Sequence, residues 1–139
     1  MFEEILGNEL IKTHLQRACQ TGNIANTLLF LGPEGIGKGL FALELAAFLM
    51  AGAEKKLVNK ARLQNNSHPD LHIYQPEGKN GMHNIASIRE MIEQVFLEPF
   101  EAAAKVFIIH DAERMLPASA NALLKTLEEP SMDSYLILL

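Results

Sequence analysis

The chain has 139 residues, 48% of them hydrophobic, which is the size and apolar content of one ordinary globular domain. Its 17 acidic and 12 basic residues give a formal net charge of −5, which disfavours autonomous binding to a phosphate backbone, so any nucleic-acid role is shared with partners. A single cysteine, Cys19, excludes an internal disulfide and a four-thiolate zinc site, and it indicates a reducing, cytoplasmic setting. Because Glu44 interrupts the longest apolar stretch, no membrane-spanning segment is expected.

The first third of the chain predicts a helix, a strand and a second helix. Residues 8–20 have the apolar spacing of an amphipathic helix. The short apolar run 27–31 is expected to form a strand buried on both faces of a parallel sheet. After a glycine-rich turn, residues 40–50 contain no helix breaker and are rich in Leu, Ala and Phe, which predicts a buried helix. The apolar face of the first helix comprises Ile11, Leu15, Ala18 and Cys19.

The middle of the chain is more polar. Residues 51–69 predict a solvated connection or a marginal helix rather than a domain boundary. A weak strand over 70–74 follows, and then a second amphipathic helix that Pro99 terminates. The basic residues of the connection are Lys55, Lys56, Lys60 and Arg62, and the apolar positions of the helix are Ile85, Ile88, Ile92, Val95 and Phe96.

The last third continues the alternation of strands and helices. It contains a doubly buried strand over 106–109, a helix over 120–129 closed by Pro130, and a fourth strand over 135–139. This order predicts an α/β fold with a doubly wound, mostly parallel sheet. We expect residues 1–139 to be the N-terminal part of one domain of a longer protein, because the chain stops inside its fourth predicted strand.

A glycine-rich segment predicts a phosphate-binding loop. Residues 32–38 match the G-x-x-x-x-G-K pattern and lie between a predicted strand and a predicted helix, as the mechanism requires. Backbone N–H groups and the helix N-terminus would face the phosphates, and Lys38 would reach the outer ones. The alternative is a tight glycine turn with an exposed lysine. Gly39 follows the lysine and lacks the hydroxyl that ligates Mg²⁺. The candidate phosphate-binding residues are Gly32, Gly35, Ile36, Gly37, Lys38 and Gly39.

A phosphate-loop ATPase also needs a carboxylate at the end of a neighbouring strand to hold the magnesium shell. The segment 106–113, which ends in His110, Asp111 and Glu113, is the candidate. Followed by the ten residues 121–130 (NALLKTLEEP), it resembles the bacterial DNA polymerase III clamp-loader family of AAA+ proteins. A weaker resemblance extends over nearly the whole chain.

The resemblance implies that the acidic motif is degenerate. Active members end this strand with Asp-Glu-Ala-Asp, which places His110 at the magnesium aspartate and Asp111 at the catalytic glutamate. An imidazole and a shorter carboxylate are not like-for-like substitutes. Two alternatives stay open. A shifted register would let Asp111 serve as the metal carboxylate, or His110 and Asp111 simply cap the strand and the following turn.

What the resemblance implies is an AAA+ P-loop fold cut after its fourth strand, in a largely non-catalytic subunit of the delta-prime type. Such a subunit works with delta and gamma/tau subunits in the DNA polymerase III holoenzyme, a nucleotidyltransferase, to load the sliding clamp onto primed DNA. It requires no cofactor and binds ATP, ADP or an anion weakly. The alternatives are an active gamma/tau-type ATPase, a nucleotide kinase-like phosphotransferase and an interaction scaffold that binds no nucleotide.

Three further expectations follow from the same resemblance. Residues 5–8 look like the segment that borders the adenine pocket. The family's four-cysteine zinc module is absent from 51–69, and Pro69 opposes a helix that would align His68 with His72, so no zinc is expected. Finally, the family sheet has a fifth strand beside 27–31, so an unpaired apolar edge is expected in this chain.

Overall fold

A computed structural model describes residues 1–3, 5–52 and 58–139, so Lys55 and Lys56 of the predicted connection lie outside the described residues. Helices and strands alternate along the described chain as predicted, except that the short helix Lys60–Gln64 follows the helix Lys38–Ala51 within the segment for which a marginal helix is one expectation. In chain order they are α1 (Glu9–Gln20), β1 (Thr27–Leu29), α2 (Lys38–Ala51), α3 (Lys60–Gln64), β2 (Leu71–Tyr74), α4 (Ile85–Val95), β3 (Lys105–Ile109), α5 (Pro117–Glu128) and β4 (Ser134–Leu138), with a 3-10 turn over Ala112–Arg114 between β3 and α5.

The four strands of the described chain form one parallel sheet in the order β1-β4-β3-β2. In its register, β3 lies between β4 and β2, with Phe107 opposite both Leu136 and His72. Parallel neighbours need crossover connections, and the helices between the strands supply them. The predicted α/β fold with a parallel sheet is confirmed.

Two hydrophobic clusters cover opposite faces of this sheet, as a doubly wound fold requires. Every residue of β3 is buried, and its side chains alternate between the faces. Val106 and Ile108 pack with α2, which is apolar nearly all round and buries Leu45 and Met50. The next residues along the strand, such as Phe107, pack with α4 and α5 on the other face.

The prediction for 27–31 is wrong in length and in burial. Strand β1 ends at Leu29, whose side chain is 59% exposed, and Leu31 beyond it is 83% exposed. The physical reason is the position of β1 at the sheet edge, where β4 is its one pairing partner within the described residues. An edge strand has a covered side and an uncovered side, so an apolar run there does not become a doubly buried strand.

Helix boundaries also differ from the predictions. Helix α4 ends at Val95, before Pro99 is reached, and Phe96 is 57% exposed rather than part of the apolar face. Helix α5 begins at Pro117, where the fixed φ of proline suits the first helical turn. On α1, Cys19 is buried, whereas Ile11 is exposed. None of the helices in the described ranges has the length and apolarity needed to cross a membrane.

A buried carboxylate fixes the loop that leads into β3. Asp70 is fully buried, and its oxygens accept backbone N–H groups of Phe100 at 2.6 Å, Glu101 at 2.9 Å and Ala102 at 2.8 Å. Burial alone would raise the pKa of Asp70, but these three donors, helped by His68, lower it below its ordinary value. The ionised carboxylate therefore ties β2 to the start of β3.

We expect Asp70→Ala to lower the free energy of unfolding by roughly 2 to 4 kcal/mol at neutral pH, because three N–H groups lose their acceptor. Since the folded-state pKa is depressed, this stabilisation is present above the unfolded-state pKa of about 3.9 and is lost as pH falls through the folded-state pKa. Urea denaturation at several pH values measures both effects. The exposed Asp133→Ala is the control, and an equal loss for both variants would contradict the role given to Asp70.

The exposed edge of β1 predicts concentration-dependent self-association of this chain, because an unpaired apolar edge offers free N–H and C=O groups to a second strand. Light scattering should show the mean mass rising with concentration. Leu29→Lys should suppress the rise, whereas Phe100→Lys, at an exposed position in the loop between α4 and β3, should not. A strictly monomeric chain at high concentration would refute the prediction.

Candidate phosphate-binding site

The candidate site lies where the loop after β1 and the turn after β3 meet the amino-terminal end of α2. Ligands of open parallel sheets bind at the carboxyl ends of the strands. A cleft of about 780 Å³ opens there, and it brings the two predicted motifs together. Its lining includes Gly32, Glu34, Gly35, Gly37, Lys38, Gly39, His110, Asp111 and Glu113.

The loop takes a conformation that glycine alone adopts without strain. Gly35 has φ 79° and Gly37 has φ 97°, both in the left-handed region. Gly37 is also the residue that precedes α2, so the helix begins at Lys38. The first N–H groups of a helix have no acceptor within it, and the residues that carry them here line the cleft. The backbone thus presents a partial positive charge to the cleft.

Lys38 is held over its own loop. Its Nζ donates to the carbonyl oxygen of Gly32 at 2.7 Å and to that of Pro33 at 3.1 Å. These bonds tie the lysine side chain back to the start of its own loop. An arriving phosphate would meet a cation that is already positioned, as the sequence pattern predicts.

Two of the three positions that depart from the hydrolytic pattern, Gly39 and His110, are neighbours in the fold. A Cβ atom on Gly39 would lie 3.4 Å from Cε1 of His110, which is ordinary van der Waals distance. The His110 ring therefore lies against the place where hydrolytic loops carry their Ser or Thr hydroxyl. At this point of the cleft, Gly39 lacks the hydroxyl and the neighbouring His110 supplies an imidazole.

A second histidine holds the backbone of this turn. Nε2 of His83, which is buried, lies 2.7 Å from the carbonyl oxygen of His110, and the His110 N–H donates to Tyr74 at 2.9 Å. Burial lowers the pKa of His110, Asp111 partly opposes this, and His83 adds to the lowering. The ring is therefore neutral at pH 7. Sequence reasoning missed His83, since a lone histidine before a helix carries no motif.

The two acidic residues of the motif are exposed on the cleft wall. Asp111 has φ 47° and immediately precedes the 3-10 turn, but its side chain makes no capping hydrogen bond, which does not support the alternative that it caps this turn. Because β3 ends at Ile109, strand alternation does not apply to Asp111, and the turn brings it into the same cleft as His110. Glu113 lines that wall as well.

This donor set departs from that of hydrolytic phosphate loops. Gly39 supplies no side-chain oxygen, and His110 supplies nitrogen where the pattern has a carboxylate. Asp111 and Glu113 remain as two exposed carboxylates on the cleft wall, and Mg²⁺ takes oxygen ligands from carboxylates, phosphates and waters. Across the described part of the chain, no group of three or more His, Cys, Asp or Glu residues is arranged to hold a metal ion.

A smaller hollow of about 200 Å³ adjoins the other side of the loop. Of the segment 5–8, Asn8 lines this hollow, whereas Ile5 is buried in the core and Leu6 is 93% exposed. The remaining walls are mostly apolar. They comprise Ile11, Leu29, Phe30, Leu31, Ile36, Lys38 and Phe41, so Ile36 faces this hollow rather than the larger cleft.

The two histidines of the segment 68–72 have different neighbours. His68 accepts the N–H of Asp70 through Nδ1 at 3.1 Å, and its Nε2 lies 3.3 Å from a carboxylate oxygen of Glu101. The His72 ring instead stacks on Phe107, with ring centroids 4.8 Å apart. His68 has a polar neighbour at each ring nitrogen, whereas Nε2 of His72 is buried without a hydrogen-bond partner among the described residues. The absence of zinc stays a prediction.

Comparison with known proteins gives a consistent result. Residues 7–139 match the family described as DNA polymerase III, delta subunit. The chain is 35% identical over 130 residues to the DNA polymerase III subunit delta' of Bacillus subtilis, covering 90% of this chain and 39% of that protein. It is 32% identical over 134 residues to subunit gamma/tau of Mycoplasma genitalium, covering 92% and 22%.

The fold has a similar counterpart among solved structures. A crystal structure of a DNA polymerase III gamma subunit-related protein from Thermotoga maritima matches with a TM-score of 0.67 and 27% identity, covering 89% of this chain and 38% of that one. The chain thus spans between 22% and 39% of the length of these three proteins.

The loop geometry predicts opposite effects for two neighbouring glycines. Gly37→Ala forces an L-residue into a left-handed conformation and should lower the free energy of unfolding by about 1 to 2 kcal/mol. Gly39→Ala lies inside α2 without a positive φ, so it should be neutral or stabilising by about 0.5 kcal/mol. Urea denaturation of the two variants measures the difference. Equal stabilities would contradict the strained loop.

Proposed function

The chain belongs to the DNA polymerase III delta-subunit family, and from this we propose that it is part of a delta-prime-type clamp-loader subunit that binds nucleotide weakly and does not hydrolyse it. Within this proposal, the phosphate loop is a binding device, and hydrolysis belongs to partner subunits. The observation that carries the proposal is that Gly39, His110 and Asp111 line one cleft, with His110 next to Gly39. All three departures from the hydrolytic pattern therefore lie in a cleft whose phosphate loop is intact.

Binding and hydrolysis make different demands on this cleft. Binding needs donors and positive charge, which the left-handed loop, the start of α2 and Lys38 provide. Hydrolysis also needs a fixed magnesium ion and an oriented water molecule. Losing the metal ligands and the water-orienting glutamate costs several kcal/mol of barrier, at about 1.4 kcal/mol per tenfold in rate.

The shape of the site supports a nucleotide rather than a bare anion. The cleft of about 780 Å³ lies on the phosphate side of the loop, and the apolar hollow of about 200 Å³ lies on the other side. Lys38 lines both, so the two spaces meet at the loop. Ile11 and Ile36 offer the hollow the apolar surface that a purine ring requires.

The proposed partners are the delta and gamma/tau subunits, and through the assembled cytoplasmic complex the sliding clamp and primed DNA. The net charge of −5 supports this division, because a domain of that charge gains little from counterion release on DNA. Contact with the phosphate backbone then falls mainly to other parts of the assembly.

The second candidate function is an active gamma/tau-type ATPase. The similarity to the gamma/tau subunit of Mycoplasma genitalium and to the gamma subunit-related fold of Thermotoga maritima favours it. It would require catalysis to proceed with Gly39, His110 and Asp111 in place. A measurement of turnover separates the two candidates.

We expect negligible steady-state ATP turnover by the purified protein, alone and with primed DNA, because Gly39, His110 and Asp111 stand where hydrolytic loops carry their metal-binding and water-orienting residues. Lys38→Ala should leave this background unchanged. Turnover near about one per second, within the range of working enzymes, that disappears in Lys38→Ala would establish the gamma/tau-type ATPase instead.

A further inference from the structure

Resting on the proposed function, we propose that His83 is a positioning residue for the bound nucleotide. His83 is not among the described residues that line the cleft, yet its ring holds the peptide bond between His110 and Asp111. Through this peptide bond, His83 keeps the wall of the cleft in the conformation that receives the phosphates. The proposal adds to the site a residue that no motif of the sequence contains.

The backbone at Asp111 is strained. Its φ of 47° and ψ of 53° lie in the left-handed region, which residues with a side chain rarely adopt, although aspartate tolerates it better than most. The Asp111 side chain makes no capping hydrogen bond that would compensate for this conformation. Residues in such conformations persist where the surrounding structure imposes them, and they cluster at ligand-binding sites. The neighbours of the turn therefore hold Asp111 in place.

His83 bonds the backbone on both sides of Asp111. Its Nε2 lies 2.7 Å from the carbonyl oxygen of His110, and because a carbonyl oxygen only accepts, Nε2 carries the hydrogen and donates it. The backbone N–H of His83 donates to the carbonyl oxygen of Arg114 at 3.0 Å. His83 is 3% exposed, so water does not readily replace either bond.

The bond from the His83 ring acts on the torsion angle that decides the conformation of Asp111. The carbonyl group of His110 and the N–H of Asp111 belong to one planar peptide unit, so turning this unit changes ψ of His110 and φ of Asp111 together. A turn that relieved the strain would swing the His110 oxygen away from Nε2 of His83. The hydrogen bond therefore opposes the relaxation that the left-handed φ favours.

The same peptide unit joins two residues of the cleft wall. The His110 ring lies next to Gly39, and Asp111 lines the cleft together with Glu113. If the unit turned, the side chains of His110 and Asp111 would be redirected, and a nucleotide would have to order the wall again at a cost in affinity. A purely structural role of His83 would instead lower the stability and leave the affinity of the folded protein unchanged.

The test is a calorimetric titration of the purified protein with ADP. We expect His83→Leu to raise the Kd at least about fivefold, because the wall loses the donor that holds it. His83→Gln restores an N–H donor at a similar reach and should stay within about twofold of the wild type. His72→Leu is the matched control and should leave the Kd unchanged, because Nε2 of His72 has no hydrogen-bond partner among the described residues.

The possible outcomes separate this inference from the proposed function. A folded His83→Leu that binds ADP like the wild type would overturn the inference and leave nucleotide binding intact. An equal loss of affinity in His83→Gln would also overturn it, because the N–H donor would then not be the cause. A wild-type protein that binds no ADP would overturn the proposed nucleotide binding and this inference with it. If His83→Leu does not fold, nitrogen NMR of the wild-type ring decides: a proton on Nε2 supports the inference, and its absence overturns it.

Discussion

Strand β3 is paired on both sides, and its side chains are buried alternately in two helical layers. This double burial leaves the strand one register and one direction, because a shift by one residue would exchange the two faces. The core therefore places the turn that begins at His110, and the contacts of the His110 backbone with His83 and Tyr74 hold it there. Asp70 adds to this constraint, since its carboxylate anchors the loop that enters β3. The geometry of the site at one end of the strand depends on packing along its whole length.

The phosphate loop and the acidic motif are positioned by different means. The loop depends on left-handed glycines and on the start of α2, which are local features of the backbone. The motif depends on where β3 ends, which is a property of the sheet. Substitution of metal ligands in the cleft therefore leaves the loop geometry in place. A phosphate-loop fold can therefore lose the residues that bind the metal ion and still keep the backbone loop that binds phosphate.

Several features could be predicted from the sequence because they leave a local pattern. The continuous apolar run of β3 and the breaker-free α2 both predicted their own burial correctly. The run 27–31 has the same composition, yet β1 lies at an edge, and an edge is decided by neighbouring strands that composition does not encode. The exposure of Phe96 was missed for a different reason. Helix α4 ends at Val95, so Phe96 no longer follows the apolar face of the helix.

The sequence predicted which residues belong to the candidate site, but it did not predict how those residues are placed relative to one another. Gly39 and His110 each departed visibly from a motif, yet their contact depends on how two elements distant in sequence meet in the fold. His83 left no signal at all, because its function is to hold a backbone carbonyl, and any buried ring nitrogen at that point would serve. Patterns identify residue types with a chemical task, whereas positioning residues become visible once the fold is known.

The loss of metal chemistry also bears on how such a subunit could contribute to an assembly. A ligand shifts a conformational equilibrium only by the difference in its affinity for the two states. Hydrolysis changes the charge and the metal content of a nucleotide site, and so it changes that difference during each cycle. A cleft that binds nucleotide without hydrolysing it, as we propose here, undergoes no such change. Its domain would then keep one conformation through the cycle, so that partner subunits which do hydrolyse ATP would move against a constant surface.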